Sequence, residues 1–112
     1  MQLQTFKYQG EKEQLLKEVK TIEIDGEIWF VAMDVCKALE ISNIADAVSR
    51  LDYDERLTSV LPISGQSRNV NLINESGLCT LVFKSRKPLA HQFRKWITRE
   101  VIPSMRTRSD NS

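Results

Sequence analysis

Residues 21–31 read TIEIDGEIWFV, in which Asp25-Gly26 separates two apolar, largely β-branched runs. Asp-Gly supplies the positive φ angles of a two-residue hairpin turn, so the stretch predicts two antiparallel strands in a fixed register. That register gathers on one face Ile22, Ile24, Trp29 and Val31. Ile28 and Phe30 point to the other face. We therefore expect the second strand to be buried on both sides and the first to lie nearer a sheet edge.

A second hairpin is predicted further along the chain. Residues 57–63 and 68–73 are strand candidates, and Ser64-Gly65-Gln66-Ser67 between them is a turn. Residues 2–8 are weakly strand-like because Phe6 and Tyr8 alternate with polar residues. The charged segment 10–20 is interpreted as a loop or a short helix.

Two short helices are predicted between the hairpins. Asp34 favours the start of the first, whose inner face is Val35, Cys36 and Leu39. Ser42 or Asn43 can cap the second, whose apolar residues are Ile44, Ala47 or Val48, and Leu51. This outline resembles a helix-turn-helix, which would offer as DNA contacts Ser42, Asn43, Ser49 and Arg50. Glu40 stands where such turns favour glycine, and Asp46 would repel phosphate, so packing alone explains these helices at least as well.

The C-terminal part predicts two more helices. Asn74-Glu75-Ser76-Gly77 offers a cap for a helix over residues 78–83. Pro88 suits the first turn of the last helix, and Pro103 should kink or end it near Ile102. One side of this helix is apolar, with Leu89, Phe93, Trp96, Ile97 and Val101. The opposite side is basic, with Lys95, Arg99 and Arg106.

The charge of the chain is unevenly distributed. Between Lys84 and Arg108 there are eight basic residues and one acidic residue, whereas residues 1–83 hold eight basic and thirteen acidic residues. A polyanion would bind the positive end, although a solvated helix face explains most charge runs. The candidate phosphate contacts are Lys84, Arg86, Lys87, Arg94, Lys95, Arg99 and Arg106. Second choices are Arg50 and Arg56, because each could instead pair with a nearby carboxylate.

Composition narrows the class of protein. A chain of 112 residues with 41% hydrophobic residues suits one globular domain, and no segment suits a membrane span or a signal peptide, so we expect a cytoplasmic protein. Cys36 and Cys79 are expected to be free thiols. One histidine, His91, and no glycine-rich phosphate loop argue against metal, cofactor and nucleotide sites. The acidic run 52–55 could serve a two-metal nuclease, but a solvated loop is the more common role of such a run.

Five blocks of the sequence, taken in order, resemble the BRO N-terminal domain of phage antirepressors and baculovirus BRO proteins. The blocks are IDGEIWFVAMDVCKAL at residues 24–39, LDYDER at 51–56, INESGL at 73–78, SRKP at 85–88 and WITREVIPSMR at 96–106. The resemblance covers about residues 20–107. It departs at Glu40, where the family more often has glycine, and at residues 11–18, which look like an insertion.

The resemblance implies an α+β domain that binds nucleic acid in a phage regulatory protein of the bacterial host cell. We expect two β-hairpins packed with about four short-to-medium helices, the last of them basic and amphipathic. The domain would span residues 1–107, followed at 108–112 by a disordered tail or the start of a linker to a second domain. The leading hypothesis is non-catalytic binding of DNA, double-stranded or single-stranded. The alternative is an antirepressor that inactivates a phage repressor protein by direct contact, and a homodimer fits either.

Overall fold

The fold is built on one five-stranded antiparallel sheet. A computed structural model of the chain describes residues 3–8, 17–85 and 87–110, with the side chains of the last helix described through Arg106. The strands are β1 (Gln4–Tyr8), β2 (Lys17–Ile24), β3 (Glu27–Val31), β4 (Arg56–Ile63) and β5 (Gln66–Asn74). Their spatial order is β1-β2-β3-β5-β4, which joins both predicted hairpins in a single sheet. The predicted α+β class is confirmed.

The β2–β3 turn sets the register of the sheet. Asp25 and Gly26 adopt φ angles of 51° and 82°, and Ile22 lies opposite Trp29 across the hairpin. β3 is the central strand, between β2 and β5, and it is buried on both faces, because Phe30 packs in one apolar cluster and Trp29 and Val31 pack in another. The prediction made from Asp-Gly is therefore confirmed, including the position of β2 closer to an edge.

Two apolar clusters occupy the two faces of the sheet. The larger packs residues from every helix against Val19, Phe30 and Ile73 of the strands. The smaller is made of strand residues alone, namely Ile22, Trp29, Val31, Leu61, Val70 and Leu72. Ile28 packs against the first cluster and Ile24 against the second, as the hairpin register predicts.

The start of β2 corrects the interpretation of segment 10–20. Residues 17–20 are strand and neither loop nor helix; residues 10–16 lie outside the described part of the chain. Val19 is fully buried and pairs with Phe6 of β1. The charged residue Lys20 is accommodated in β2 because both its backbone N–H and its ammonium group donate to the Asp34 carboxylate. The strand predicted at residues 2–8 is confirmed as β1.

Every helical segment except the 3-10 turn contributes to the larger cluster. They are α1 (Ala32–Ala38), α2 (Ile44–Ser49), a 3-10 turn (Tyr53–Glu55), α3 (Glu75–Lys84), α4 (Pro88–Trp96), a wide π turn (Ile97–Val101) and α5 (Ile102–Asp110). Asn43 and Asn74 cap α2 and α3 by accepting backbone N–H groups, as predicted. Both cysteines are free; Cys36 is buried, and that burial raises the pKa of its thiol. Within the described ranges, none of the helices is long and apolar enough to span a bilayer.

Pro103 does not end the last helix. The helix passes through the π turn, in which the Ile102 N–H donates to the Ile97 carbonyl five residues back, and continues as α5 to Asp110. A proline ring would clash with the carbonyl four residues earlier in a regular helix, and a wider turn relieves that clash. The prediction that the helix ends near Ile102 is thus wrong, and the irregularity there takes the form of one extra residue in the turn. The backbone is helical through Asp110; the rest of segment 108–112, for which a disordered tail or the start of a linker is predicted, lies outside the described residues.

Candidate nucleic-acid interface

α3 and the C-terminal helix, which is α4, the π turn and α5 together, form the outer layer of the domain. Residues 85–87 join the end of α3 to the start of α4. Arg106, far along the C-terminal helix, lies 3.9 Å from the Glu75 carboxylate at the start of α3. The two helices therefore run back along each other. Their inner residues, such as Leu78 and Phe93, are fully buried, so their outer faces look away from the sheet.

One row of exposed residues follows the outer face of the C-terminal helix. Lys87, His91, Lys95 and Arg99 recur every four residues, which aligns them along one ridge. We call these four residues the basic row. Neighbouring members are separated by about 6 Å of helix rise, so the row is about 18 Å long. In the described part of the chain, no acidic side chain pairs with Lys87, Lys95 or Arg99.

A shallow cleft adjoins the start of the basic row. It lies between α2 and the end of α3, and its wall includes Arg50, Lys84 and Lys87. The structure thus brings together three of the predicted contacts from separate parts of the sequence. Glu40 and Asp46 also line the cleft, and Asp46 binds Arg50 at 3.1 Å. The cleft is less positive than the row.

Arg106 is not part of the basic row. It lines a different cleft, between the β2–β3 turn and the start of α3. The acidic residues of that cleft are Glu23, Asp25, Glu27 and Glu75. The π turn explains this position, because one extra residue in a turn rotates everything after it by about 100° relative to a regular helix. The prediction that Arg106 lies beside Lys95 and Arg99 is wrong.

The other predicted contacts are scattered. Arg94 is exposed on α4, one position from Lys95. Arg56, at the start of β4, is exposed in a cleft with Tyr53 and Leu57. Arg86 lies outside the described residues.

The helix-turn-helix hypothesis loses most of its candidate contacts. The Asn43 side chain caps α2, Ser49 donates to the Asp46 carbonyl at 2.8 Å, and Arg50 pairs with Asp46. The turn before α2 is a Schellman motif, in which Ile41 N–H donates to the Cys36 carbonyl and Glu40 N–H to that of Lys37. Glu40 holds the left-handed position of this motif, with φ of 58°. Glycine usually occupies that position.

The acidic run 52–55 contains a buried structural group that the sequence interpretation missed. Glu55 is 6% exposed, and its carboxylate accepts Ser76 Oγ at 2.7 Å, Thr80 Oγ1 at 3.0 Å and the Asp52 N–H at 2.9 Å. The Ser76 bond, then the Asp52 bond, hold the pKa of Glu55 below its usual value. Asp52 followed three residues later by Glu55 is a capping-box pattern that could have revealed it. Both carboxylate oxygens of Glu55 accept hydrogen bonds, so Glu55 is poorly placed for a nuclease role. In the ranges described, no group of three His, Cys, Asp or Glu side chains comes together as a metal site would require.

Comparison with known proteins agrees with the five sequence blocks. The model of the BRO family N-terminal domain matches residues 18–103, so nearly all of the segment 11–18 lies ahead of the match. An uncharacterized protein of Haemophilus influenzae is 35% identical over 85 residues, which cover 72% of this chain and 41% of the relative. A Bro-N domain-containing protein of Acanthamoeba polyphaga mimivirus is 29% identical over 92 residues, covering 70% and 37%.

A Bro-N domain-containing protein of Autographa californica nuclear polyhedrosis virus is 28% identical over 103 residues, covering 75% of this chain and 31% of the relative. The chain thus spans less than half the length of each of these relatives. No solved structure matches it. The family model covers most of the chain and agrees with the fold described above. The chain therefore belongs to the BRO family and contains the N-terminal domain of that family.

Proposed function

We propose that this domain binds nucleic acid through the basic row and the adjoining end of α3, as the non-catalytic recognition module of a phage or viral regulatory protein. The observation that carries the proposal is the row itself. Lys87 at the N-cap of α4 and Lys95 and Arg99 on the helix that follows are exposed and make no ion pair within the described residues. Free cations at regular spacing suit the phosphates of a backbone.

Charge separation across the domain supports the same proposal. The acidic cleft at the β2–β3 turn and the basic row lie at different places on the surface, and Arg106 is held in the acidic cleft. A polyanion would be attracted to one and repelled by the other, which orients the domain on approach. Affinity would come mainly from phosphate contacts and would fall steeply with salt.

The test compares two arginines of one helix. Arg99→Ala and Arg106→Ala remove the same charge, but only Arg99 belongs to the basic row. Binding to a mixed-sequence duplex and to a single strand is measured from about 50 to 300 mM salt. Arg99→Ala should weaken binding and reduce the slope of log affinity against log salt by about 0.9 on duplex and about 0.7 on single strand. Arg106→Ala should leave both the affinity and the salt slope within about twofold of the wild type, since the charge of Arg106 is already offset by Glu75.

Two results contradict the proposal. If neither nucleic acid binds at low salt, the nucleic-acid function is wrong for this domain. If Arg106→Ala reduces the slope as much as Arg99→Ala does, the basic row is not the contact surface. Thermal unfolding of each variant checks that the fold is retained.

A second function is favoured by the acidic cleft. Glu23, Glu27 and Glu75 line one concave surface, which suits a basic patch on a protein such as a phage repressor. In this case the domain would relieve repression by contact, with no need for nucleic acid. A Glu23→Gln, Glu27→Gln variant should then lose relief of a repressor-controlled reporter, while Arg99→Ala keeps it. The opposite pattern supports nucleic-acid binding.

A further inference from the structure

Phe83 is the most unusual residue on the outer layer. It lies near the end of α3, and 89% of the residue is exposed to solvent. The neighbours that face inward, Leu81 and Val82, are buried, so the phenyl ring points away from the sheet. A polar residue would suit this position better in water, because an exposed ring gains nothing from burial. A ring this exposed is free to make a contact outside the domain.

Two lysines lie close to Phe83 in the chain, on a cleft wall where Glu40 and Asp46 offset part of their charge. Lys84 follows it directly, and Lys87 begins the basic row after the short connection 85–87. Among the described residues, ring-to-ring contacts are made by Tyr8, Phe93 and Trp96, and Phe83 is not among them. The face of its ring is therefore available, with cations that could hold a phosphate backbone beside it.

We propose that Phe83 stacks on an unpaired base while Lys84 and Lys87 hold the flanking phosphates, and that it gives the domain a preference for single-stranded over duplex nucleic acid. This inference rests on the proposed function. Every base has a π face, so an aromatic ring within a basic surface binds single strands with little dependence on sequence. In a duplex the same faces are already stacked on their neighbours, and Phe83 has nothing to contact.

Tyr53 is a second exposed aromatic ring, but its neighbours in the chain are acidic. It is 90% exposed, as Phe83 is, but Asp52 and Asp54 flank it. One cation, Arg56, shares the cleft of Tyr53, but the two carboxylates outnumber it, so phosphates are repelled there on balance. Tyr53→Ala is therefore the matched control, because it also removes an exposed aromatic side chain.

The experiment measures binding of the wild type, Phe83→Ala, Phe83→Tyr and Tyr53→Ala to three ligands of about 20 nucleotides. The ligands are a single strand, the same strand with abasic sites throughout, and the duplex. Phe83→Ala should bind the single strand about tenfold more weakly, with an unchanged salt slope, because stacking releases no counterions. Its affinity for the abasic strand and the duplex should stay within about twofold of the wild type. Phe83→Tyr should retain binding, and Tyr53→Ala should match the wild type.

Each other outcome overturns the inference. If Phe83→Ala binds the single strand as the wild type does, the ring does not stack on a base. An equal loss on all three ligands also excludes stacking, as does an equal loss with Tyr53→Ala. In these cases the wild type still binds with a steep salt slope, and the proposed function stands. If the wild type binds nothing, the proposed function itself has failed.

Discussion

The hydrogen bonds around Glu55 predict how the stability of the domain depends on pH. Glu55→Gln keeps the size of the side chain but removes its charge. Three donors reach the Glu55 carboxylate, and hydrogen bonds to a charged group contribute about 1.5–3 kcal/mol each when removed singly. Glutamine retains one acceptor oxygen, and the Ser76 and Thr80 hydroxyls can rotate. We therefore expect a loss of about 2 kcal/mol at pH 7, or about 8 °C in Tm for a domain of this size.

The sign of the pH dependence follows from the pKa of Glu55. The Ser76 bond and the Asp52 bond lower the pKa in the folded protein, so the carboxylate stabilises the fold fully above the unfolded pKa of about 4.3. That stabilisation is lost as the pH falls through the lower folded pKa. The free energies of unfolding of wild type and Glu55→Gln should differ at pH 7 and converge in acid.

Urea unfolding from neutral to acidic pH measures this difference. Asp54→Asn is the control, because it removes a neighbouring carboxylate whose residue is exposed. A difference between wild type and Glu55→Gln that does not change with pH would refute the reasoning. So would an Asp54→Asn variant that is destabilised as much as Glu55→Gln.

Substitutions at two positions, Glu40 and Gly77, test the backbone near the interface. Glu40→Gly should stabilise the domain by about 1 kcal/mol in urea unfolding, because Glu40 has φ of 58°, which glycine adopts without strain. The same substitution should tighten nucleic-acid binding, because it removes a negative charge from the cleft that Glu40 lines with Lys84 and Lys87. Glu40→Gln should tighten binding without stabilising, and equal stability of the two variants would contradict the backbone explanation. Gly77→Ala should destabilise by about 1–3 kcal/mol despite the better helix propensity of alanine, since its Cβ would lie 2.9 Å from the Glu55 carbonyl oxygen. A stabilised Gly77→Ala variant would show that α3 can move away from the 3-10 turn.

Local backbone structure was predictable where one or two residues determine it. Asp25-Gly26 predicted the turn, the register and the faces of β2 and β3, and Asn43 and Asn74 predicted two helix starts. Residues 17–20 were missed because their burial depends on a distant partner, Asp34, which accepts from Lys20. Periodicity within the segment contains no such information.

The candidate site was predicted only as far as the helix stayed regular. Lys87, Lys95 and Arg99 precede or enter the π turn and remain exposed, as expected from the sequence. Arg106 follows the turn and was assigned to the wrong side, because the helical projection assumed about 100° for every residue. Phe83 lies in the helix predicted over residues 78–83, but its exposure was not predictable from the sequence, since it depends on how α3 packs against the sheet.

The π turn also has a consequence for how this family is aligned. The buried residues of the C-terminal helix are Ala90, Phe93, Ile97, Val101, Ile102 and Met105. With any one residue between 98 and 100 removed, the last three would fall three, four and seven positions after Ile97, which is the spacing of an uninterrupted apolar stripe. The turn therefore accommodates one inserted residue without changing which residues of the helix are buried in the core. A relative shorter by one residue here would keep the same core, and aligning it correctly requires a one-residue gap between Ile97 and Val101.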